Sequence, residues 1–156
     1  MRIIGTTPNI RLISTGSEAP ACNFAGAMSF FYITDDVTAR DRRGDQDVAV
    51  LVAGGDIDYG ATPQLRECIA EHIHAGRRRL VVDLTNVTFI DSTAIGALIG
   101  ALMRLHQDGG GSGSVAVVCA EENRKVMRIF EIAGVENLIA LHSTREQALA
   151  ALARAG

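Results

Sequence analysis

Three groups of side chains in this sequence have types and spacings that could do chemistry. The first is Asp91-Ser92-Thr93, a carboxylate followed by two hydroxyls where an apolar segment gives way to an amphipathic helix. A hydroxyl there lies close to free backbone N–H groups and the positive end of the helix dipole, which can face an anion. Ser and Thr are also ordinary N-cap residues, so physics alone favours Ser92 as a cap and Thr93 as a first-turn residue. The second group is Asp56 and Asp58, a carboxylate pair of the kind used in acid–base work or Mg²⁺ binding. No nucleophile, Lys or His accompanies them, so they are expected to cap a loop and form part of a surface, and no catalytic residue is assigned. The third is Cys68, His72 and His74. Cys68 and His72 share a helix face, but His74 points elsewhere and a fourth ligand is missing, so no metal is expected. No P-loop or Gly-x-Gly-x-x-Gly occurs, and Gly109–Gly113 lacks the Lys-Ser/Thr of a phosphate cradle, so no cofactor is expected.

These residues need elements to hold them. Val48 to Ala53 is a continuous apolar run of strand length, and Gly54-Gly55-Asp56-Ile57-Asp58 ends it. Thr62-Pro63 then opens a helix, with Thr62 as N-cap and Leu65, Cys68, Ile69, His72 and Ile73 at helical spacing. Gly76 closes it, and Arg77–Arg79 reads as a solvated turn. Leu80 to Leu84 is the next buried strand, with Asp83 structural at its end, and 85–91 reads as a loop. A helix from about Ser92 to His106 carries Ile95, Leu98, Ile99, Leu102 and Leu105 on one face. Gly96 and Gly100, with Ala97 and Ala101, form a small-residue stripe on it. Either close helix–sheet packing or the approach of a partner would account for that stripe, since a helix-interior Gly costs about 0.8–1 kcal/mol. A Gly/Ser-rich connection at 108–114 leads to the strand Val115–Cys119, the helix Asn123–Ala133 with Gly134 as C-cap, and the short strand Leu138–Leu141. Ser143-x-x-Glu146 has capping-box spacing and opens the last helix.

Upstream of Val48 the pattern is weaker. Residues 1–35 are expected to be a flexible extension, although Ser29 to Thr34 could form a short strand or an apolar arm. Val37 and Ala39, alternating with polar neighbours, suggest a first strand turned by residues 44–47. From Val48 onward strands and helices alternate, which implies an α/β fold: a four- to five-stranded mixed sheet covered by about four helices.

The whole chain has 156 residues, 47% apolar and 21% charged, with a formal net charge of -3. That suits one core, and it argues against the clustered basic face of a DNA binder. The absence of Trp removes the best base-stacking platform. Three cysteines, Cys22, Cys68 and Cys119, do not make a secreted disulfide framework. Cys68 and Cys119 read as buried apolar residues, with a regulatory disulfide between them unsupported. No run approaches a membrane span. Asn9, Arg11, Ser14, Ser17 and Glu18 break up any signal-peptide core, and a cytoplasmic location is expected.

Three segments in order resemble the STAS family (sulphate transporter and anti-sigma factor antagonist). Gly55-Asp56-Ile57-Asp58 with Ala61 to Leu65 is similar to the family's Gly-Glu-Leu-Asp pattern and helix start, with Asp56 in place of Glu. Val81-Val82-Asp83-Leu84 followed by Phe89-Ile90-Asp91-Ser92-Thr93-Ala94-Ile95-Gly96 resembles its phosphorylation-loop signature. Val126 to Leu149 resembles its closing helix, strand and helix. The resemblance covers about residues 36–152 and implies a STAS domain at 36–154. It further implies that Ser92 is phosphorylated, with Thr93 the runner-up acceptor, by an anti-sigma factor that is a serine kinase. A serine phosphatase would reset the protein. Asp56, Asp58, Asp91, Ser92, Thr93, Ile95 and Gly96 would form the partner surface. The unmodified form would bind the anti-sigma factor and release a sigma factor, so the chain would regulate transcription, as in a stress response, without touching DNA. The alternative is a ligand- or redox-responsive sensor or scaffold module without a phospho-switch. Oligomeric state stays open.

Overall fold

A computed structural model describes residues 11–14, 30–35, 48–108 and 113–155. The elements are β1 (Arg11–Ser14), β2 (Phe30–Asp35), β3 (Val48–Ile57), α1 (Thr62–His74), β4 (Arg79–Ile90), α2 (Ser92–Asp108), β5 (Ser114–Val118), α3 (Arg124–Ala133), β6 (Ala140–His142) and α4 (Arg145–Ala155). The α/β alternation, the mixed sheet and the four helices match the expectation. The described strands form one six-stranded sheet in the order β1-β2-β3-β4-β5-β6. The three strands β1, β2 and β3 pair antiparallel, and β3, β4, β5 and β6 pair parallel.

The parallel part follows from the apolar runs. β3, β5 and the first half of β4 are largely buried, and α1, α2 and α3 each return the chain to the start of the next strand. Alternate residues then serve two layers. Ala49, Leu51 and Ala53 of β3 join Leu80 and Val82 of β4, Val115 and Val117 of β5, and the apolar faces of α1, α2 and α3. Val48, Val50, Val81, Ala116 and Val118 face the other way and are covered by Ala148 and Leu152 of α4. Three helices therefore cover one face and α4 covers the other. Phe130 of α3 is fully buried in the larger layer, where truncation to Ala would cost about 3–5 kcal/mol.

Upstream of residue 36 the short strand allowed for Ser29 to Thr34 is present, within what was expected to be a flexible extension. Phe30–Asp35 is a strand of the sheet, paired with Leu51–Gly55, so the sheet begins before the expected domain boundary. Its Ile33 is buried in the core. Tyr32 lies opposite Gly54, where a Cβ would collide with its ring, so the glycine is required for this strand to sit flat against β3. The expected strand around Val37 and Ala39 lies outside the described residues, as does Cys22.

Two expected loops are strand. β3 continues through Gly54 to Ile57, and β4 runs past Thr85 to Ile90. Their pairing survives two register shifts, with Gly54 opposite Asn86, Asp56 opposite Phe89 and Ile57 opposite Ile90. The irregularity hides the period of 2 from the sequence, while Ile57, Val87 and Ile90 are buried and hold the strand ends together. At the helix ends, Gly134 adopts φ 65° and closes α3 as expected, its N–H bonding to the Phe130 and Glu131 carbonyls. The last helix is capped one residue later than expected. Thr144 Oγ1 accepts from Gln147 N at 3.2 Å, and Gln147 Oε1 accepts from Ser143 N at 3.2 Å.

Candidate functional site

The C-terminal ends of β3 and β4 bring the motif residues together. Asp91 N donates to the Ile57 carbonyl at 3.3 Å, so the turn that follows β3 lies beside the turn that opens α2. Open α/β sheets place their functional groups at this end, where strands stop and helices begin.

The opening of α2 is capped by Asp91, not by Ser92. Asp91 Oδ1 accepts from Thr93 N at 3.0 Å, Ala94 N at 3.2 Å and the Thr93 hydroxyl at 2.5 Å. Asp91 also supplies the first helical carbonyl, accepting from Ile95 N at 3.3 Å. Ser92 is thereby displaced to the first helical position, with its side chain exposed. Physics alone favoured Ser92 as the cap. The reason it fails is that a carboxylate one residue earlier reaches both free N–H groups and leaves the serine hydroxyl without that duty.

Thr93 is held differently. Its hydroxyl donates to Asp91 and lies 3.2 Å from Thr62 Oγ1 on α1. Thr62, expected as the N-cap of α1, is instead its first residue, and Ala61 occupies the cap. The duty falls to Asp58, whose Oδ1 accepts from Ala61 N at 3.0 Å and whose carbonyl accepts the Thr62 hydroxyl at 2.9 Å. Asp56 accepts from the Thr88 hydroxyl at 2.6 Å across the β3–β4 pair. The two carboxylates are thus bound to a backbone amide and a threonine, not to one another.

Gly96 is exposed, one turn after Ser92. Ile95 is 2% exposed and belongs to the core, so it cannot meet a partner directly; it anchors α2 from beneath. A Cβ added at Gly96 or Gly100 would meet nothing within 4 Å, so close helix–sheet packing does not account for these glycines. They border a shallow groove between α1 and α2 that Ile69, Ile73, Arg66 and Arg104 also line.

Asp83 is structural, as expected, and more deeply bound than its motif suggests. It is 4% exposed, accepts from Thr85 N at 2.9 Å and from the Thr85 hydroxyl, and forms an ion pair with Arg145 of α4 at 2.5 Å. Cys68 and Cys119 are both buried thiols, not joined in a disulfide. Burial first, and the Asp83 charge second, push the Cys119 thiol up, which disfavours the reactive thiolate. His74 accepts from Arg104 at 2.9 Å through Nε2. Among the described residues no cluster of three His, Cys, Asp or Glu is placed to hold a metal, and no helix is long and apolar enough to cross a membrane.

Two residues of this end carried no role in the sequence. Tyr59, in the β3–α1 turn, is 77% exposed, and Phe89, at the end of β4, is 48% exposed. Their signal was available: each is a large apolar side chain where polar residues are usual.

The STAS domain model matches residues 39–148. The chain belongs to the STAS domain family. An anti-sigma-B factor antagonist from Staphylococcus aureus (strain NCTC 8325 / PS 47) is 30% identical over 93 residues, covering 60% of this chain and 82% of that protein. The crystal structure of an anti-sigma factor antagonist from Mycobacterium paratuberculosis superimposes with a TM-score of 0.63 at 26% identity, covering 78% of this chain and 94% of that one. The anti-sigma factor antagonist SpoIIAA in its unphosphorylated form shares the fold, with a TM-score of 0.57 at 20% identity and coverage of 69% and 90%. This STAS protein is thus of the anti-sigma factor antagonist type, a regulatory binding protein and not an enzyme. Its Asp91-Ser92-Thr93 segment occupies the strand–turn–helix setting in which the resemblance placed it.

Proposed function

We propose that this protein is an antagonist switched by phosphorylation at Ser92. Unphosphorylated, it binds an anti-sigma factor with serine kinase activity, and a sigma factor is released. The kinase transfers the γ-phosphoryl of ATP to the Ser92 oxygen, the hydroxyl proton leaves, and ADP departs. The phosphorylated form lets go, and a serine phosphatase restores it by hydrolysis.

The observation that carries this reading is the position of the Ser92 hydroxyl, exposed on the first turn of α2 while Asp91 does the capping. A serine used as a cap would have to give up its bond to be modified. Ser92 gives up nothing, so phosphorylation leaves the helix start intact. Thr93 is the poorer acceptor, because its hydroxyl is engaged by Asp91 and Thr62. The added phosphate carries roughly -1.5 to -2 charges. It is accommodated within the chain by the positive end of α2. Toward a partner it joins Asp56, Asp58 and Asp91, so a contact matched to three carboxylates meets roughly half as much negative charge again. Thr93 and Gly96 complete this surface, and the chain acts in the cytoplasm without contacting DNA.

The test is a pull-down from native cytosol with wild type, Ser92→Ala and Ser92→Glu, with mass spectrometry of the bound proteins and of the Ser92 peptide. The expected result is an ATPase-like kinase retained by Ser92→Ala, lost by Ser92→Glu, and phosphate on wild-type Ser92. Identical partners for all three forms, with Ser92 never modified, would refute the switch.

A further inference from the structure

The chain has two tyrosines, five phenylalanines and no tryptophan. Tyr59 and Phe89 both stand at the Ser92 end of the sheet. Phe89 is the registered partner of Asp56, and the next pair, Ile57 and Ile90, is buried. Side chains alternate along a strand, so Phe89 and Asp56 leave the sheet on the side opposite that core. Tyr59 follows Asp58 in the turn that the Asp91–Ile57 hydrogen bond holds beside Ser92. Tyr59 and Phe89 therefore stand at the same end of the sheet as Ser92 and the three carboxylates Asp56, Asp58 and Asp91. Neither ring is needed to fill the core, since their neighbours Ile57, Ile90 and Ala61 already do.

We propose that Tyr59 and Phe89 are the apolar anchors by which a kinase-type anti-sigma partner docks around Ser92. The partner face they fit has an apolar slot rimmed by cationic side chains, complementary to Asp56, Asp58 and Asp91. This rests on the phospho-switch and adds to it the residues that bring the kinase to its serine. Interface energy concentrates in a few buried aromatic residues, while rim charges set orientation and association rate. On this proposal one phosphate ends the contact because Ser92 stands at the same end of the sheet as both anchors, where its added bulk and charge hold the partner's slot away.

The test follows phosphate on Ser92, so the kinase need not be identified beforehand. Purified full-length wild type, Tyr59→Ala, Phe89→Ala and the double variant are incubated with native cytosol and ATP, and the Ser92 peptide is quantified over time. Leu138→Ala is the control. Leu138 is also an exposed apolar residue, but it lies past the end of α3, at the opposite end of the sheet. Circular dichroism and thermal melts check that each variant is folded, as the exposure of both rings implies. The expected initial rates fall about tenfold or more for each single variant and further for the double, with Leu138→Ala at the wild-type rate. Equal rates for wild type and the double variant would overturn the anchors while leaving the switch standing. A wild type that takes no phosphate would refute the switch, and the anchors would fall with it.

Discussion

The capping of α2 makes a sharp prediction, because Asp91 and Ser92 are adjacent and only one of them holds the helix. Asp91 Oδ1 takes two backbone N–H groups and one hydroxyl. Asp91→Ala removes all three bonds and the favourable charge at the positive end of the dipole. Loss of an N-cap costs about 0.5–2 kcal/mol, and two satisfied amides place this one in the upper half, about 1–2 kcal/mol. Ser92→Ala removes only an exposed hydroxyl and replaces Ser with the best helix former, so it should change stability by less than about 0.5 kcal/mol. Ser92→Glu adds charge at the first helical position and should gain about 0.3–1 kcal/mol. The assay is urea unfolding followed by circular dichroism at fixed pH and low salt. With a slope of about 1.5 kcal/mol/M, the Asp91→Ala midpoint drops by about 1 M, whereas Ser92→Ala stays within about 0.3 M of wild type and Ser92→Glu rises by up to about 0.7 M. If Ser92→Ala destabilised as much as Asp91→Ala, the serine would be sharing the cap and the case for a free phosphoacceptor would collapse. The result also guards the functional test, since a Ser92→Glu protein that loses its partner while gaining stability has lost it through charge and not through unfolding.

Three further outcomes follow from the same geometry. Arg145→Ala strands the buried Asp83 carboxylate with only Thr85 for company; breaking a buried pair costs about 3–5 kcal/mol, and because the Arg145 side chain is 33% exposed, water softens the loss to about 2 kcal/mol, readable as a lower urea midpoint. The Cys119 thiol is raised above its ordinary value of 9.0, so the folded protein keeps this proton where the unfolded chain loses it; the stabilisation is complete below about pH 9 and fades above it, and wild type should lose more stability than Cys119→Ala between pH 8 and pH 10. Gly100→Ala introduces a Cβ that meets nothing within 4 Å and should stabilise the helix by about 0.5–1 kcal/mol, checked as a melting temperature a few degrees higher.

The parallel half of the sheet was legible because its signals are redundant. Val48 to Ala53, Leu80 to Leu84 and Val115 to Cys119 are apolar runs with helical periods between them, and a buried parallel strand has no other common way to appear. Phe30–Asp35 lacks that redundancy. Only Ile33 of the residues whose side chains are described there is buried, and an antiparallel strand at this position shares one short pairing with β3. Gly54 and Gly55 looked like a strand end, as glycines usually do. Here Gly54 is the place where Tyr32 crosses, which only the pairing reveals.

The site was legible as a set of residues and not as a division of labour. Asp56, Asp58, Asp91, Ser92, Thr93 and Gly96 do gather at one end of the sheet, yet the sequence could not say which of three consecutive side chains caps α2. Asp, Ser and Thr are all good caps, and the choice rests on where β4 stops. Because β4 runs on to Ile90, the first free N–H groups fall within reach of Asp91, and every later residue shifts by one role: Ser92 becomes exposed, Thr93 becomes bound, and Ile95 turns into the core. A strand longer by one residue would hand the cap to Ser92 and engage its hydroxyl in hydrogen bonds. The freedom of the serine is therefore set by the length of the strand before it, and the buried pair Ile57–Ile90 that fixes that length governs the site from the core beneath it, the Ile57 carbonyl holding Asp91 N in place.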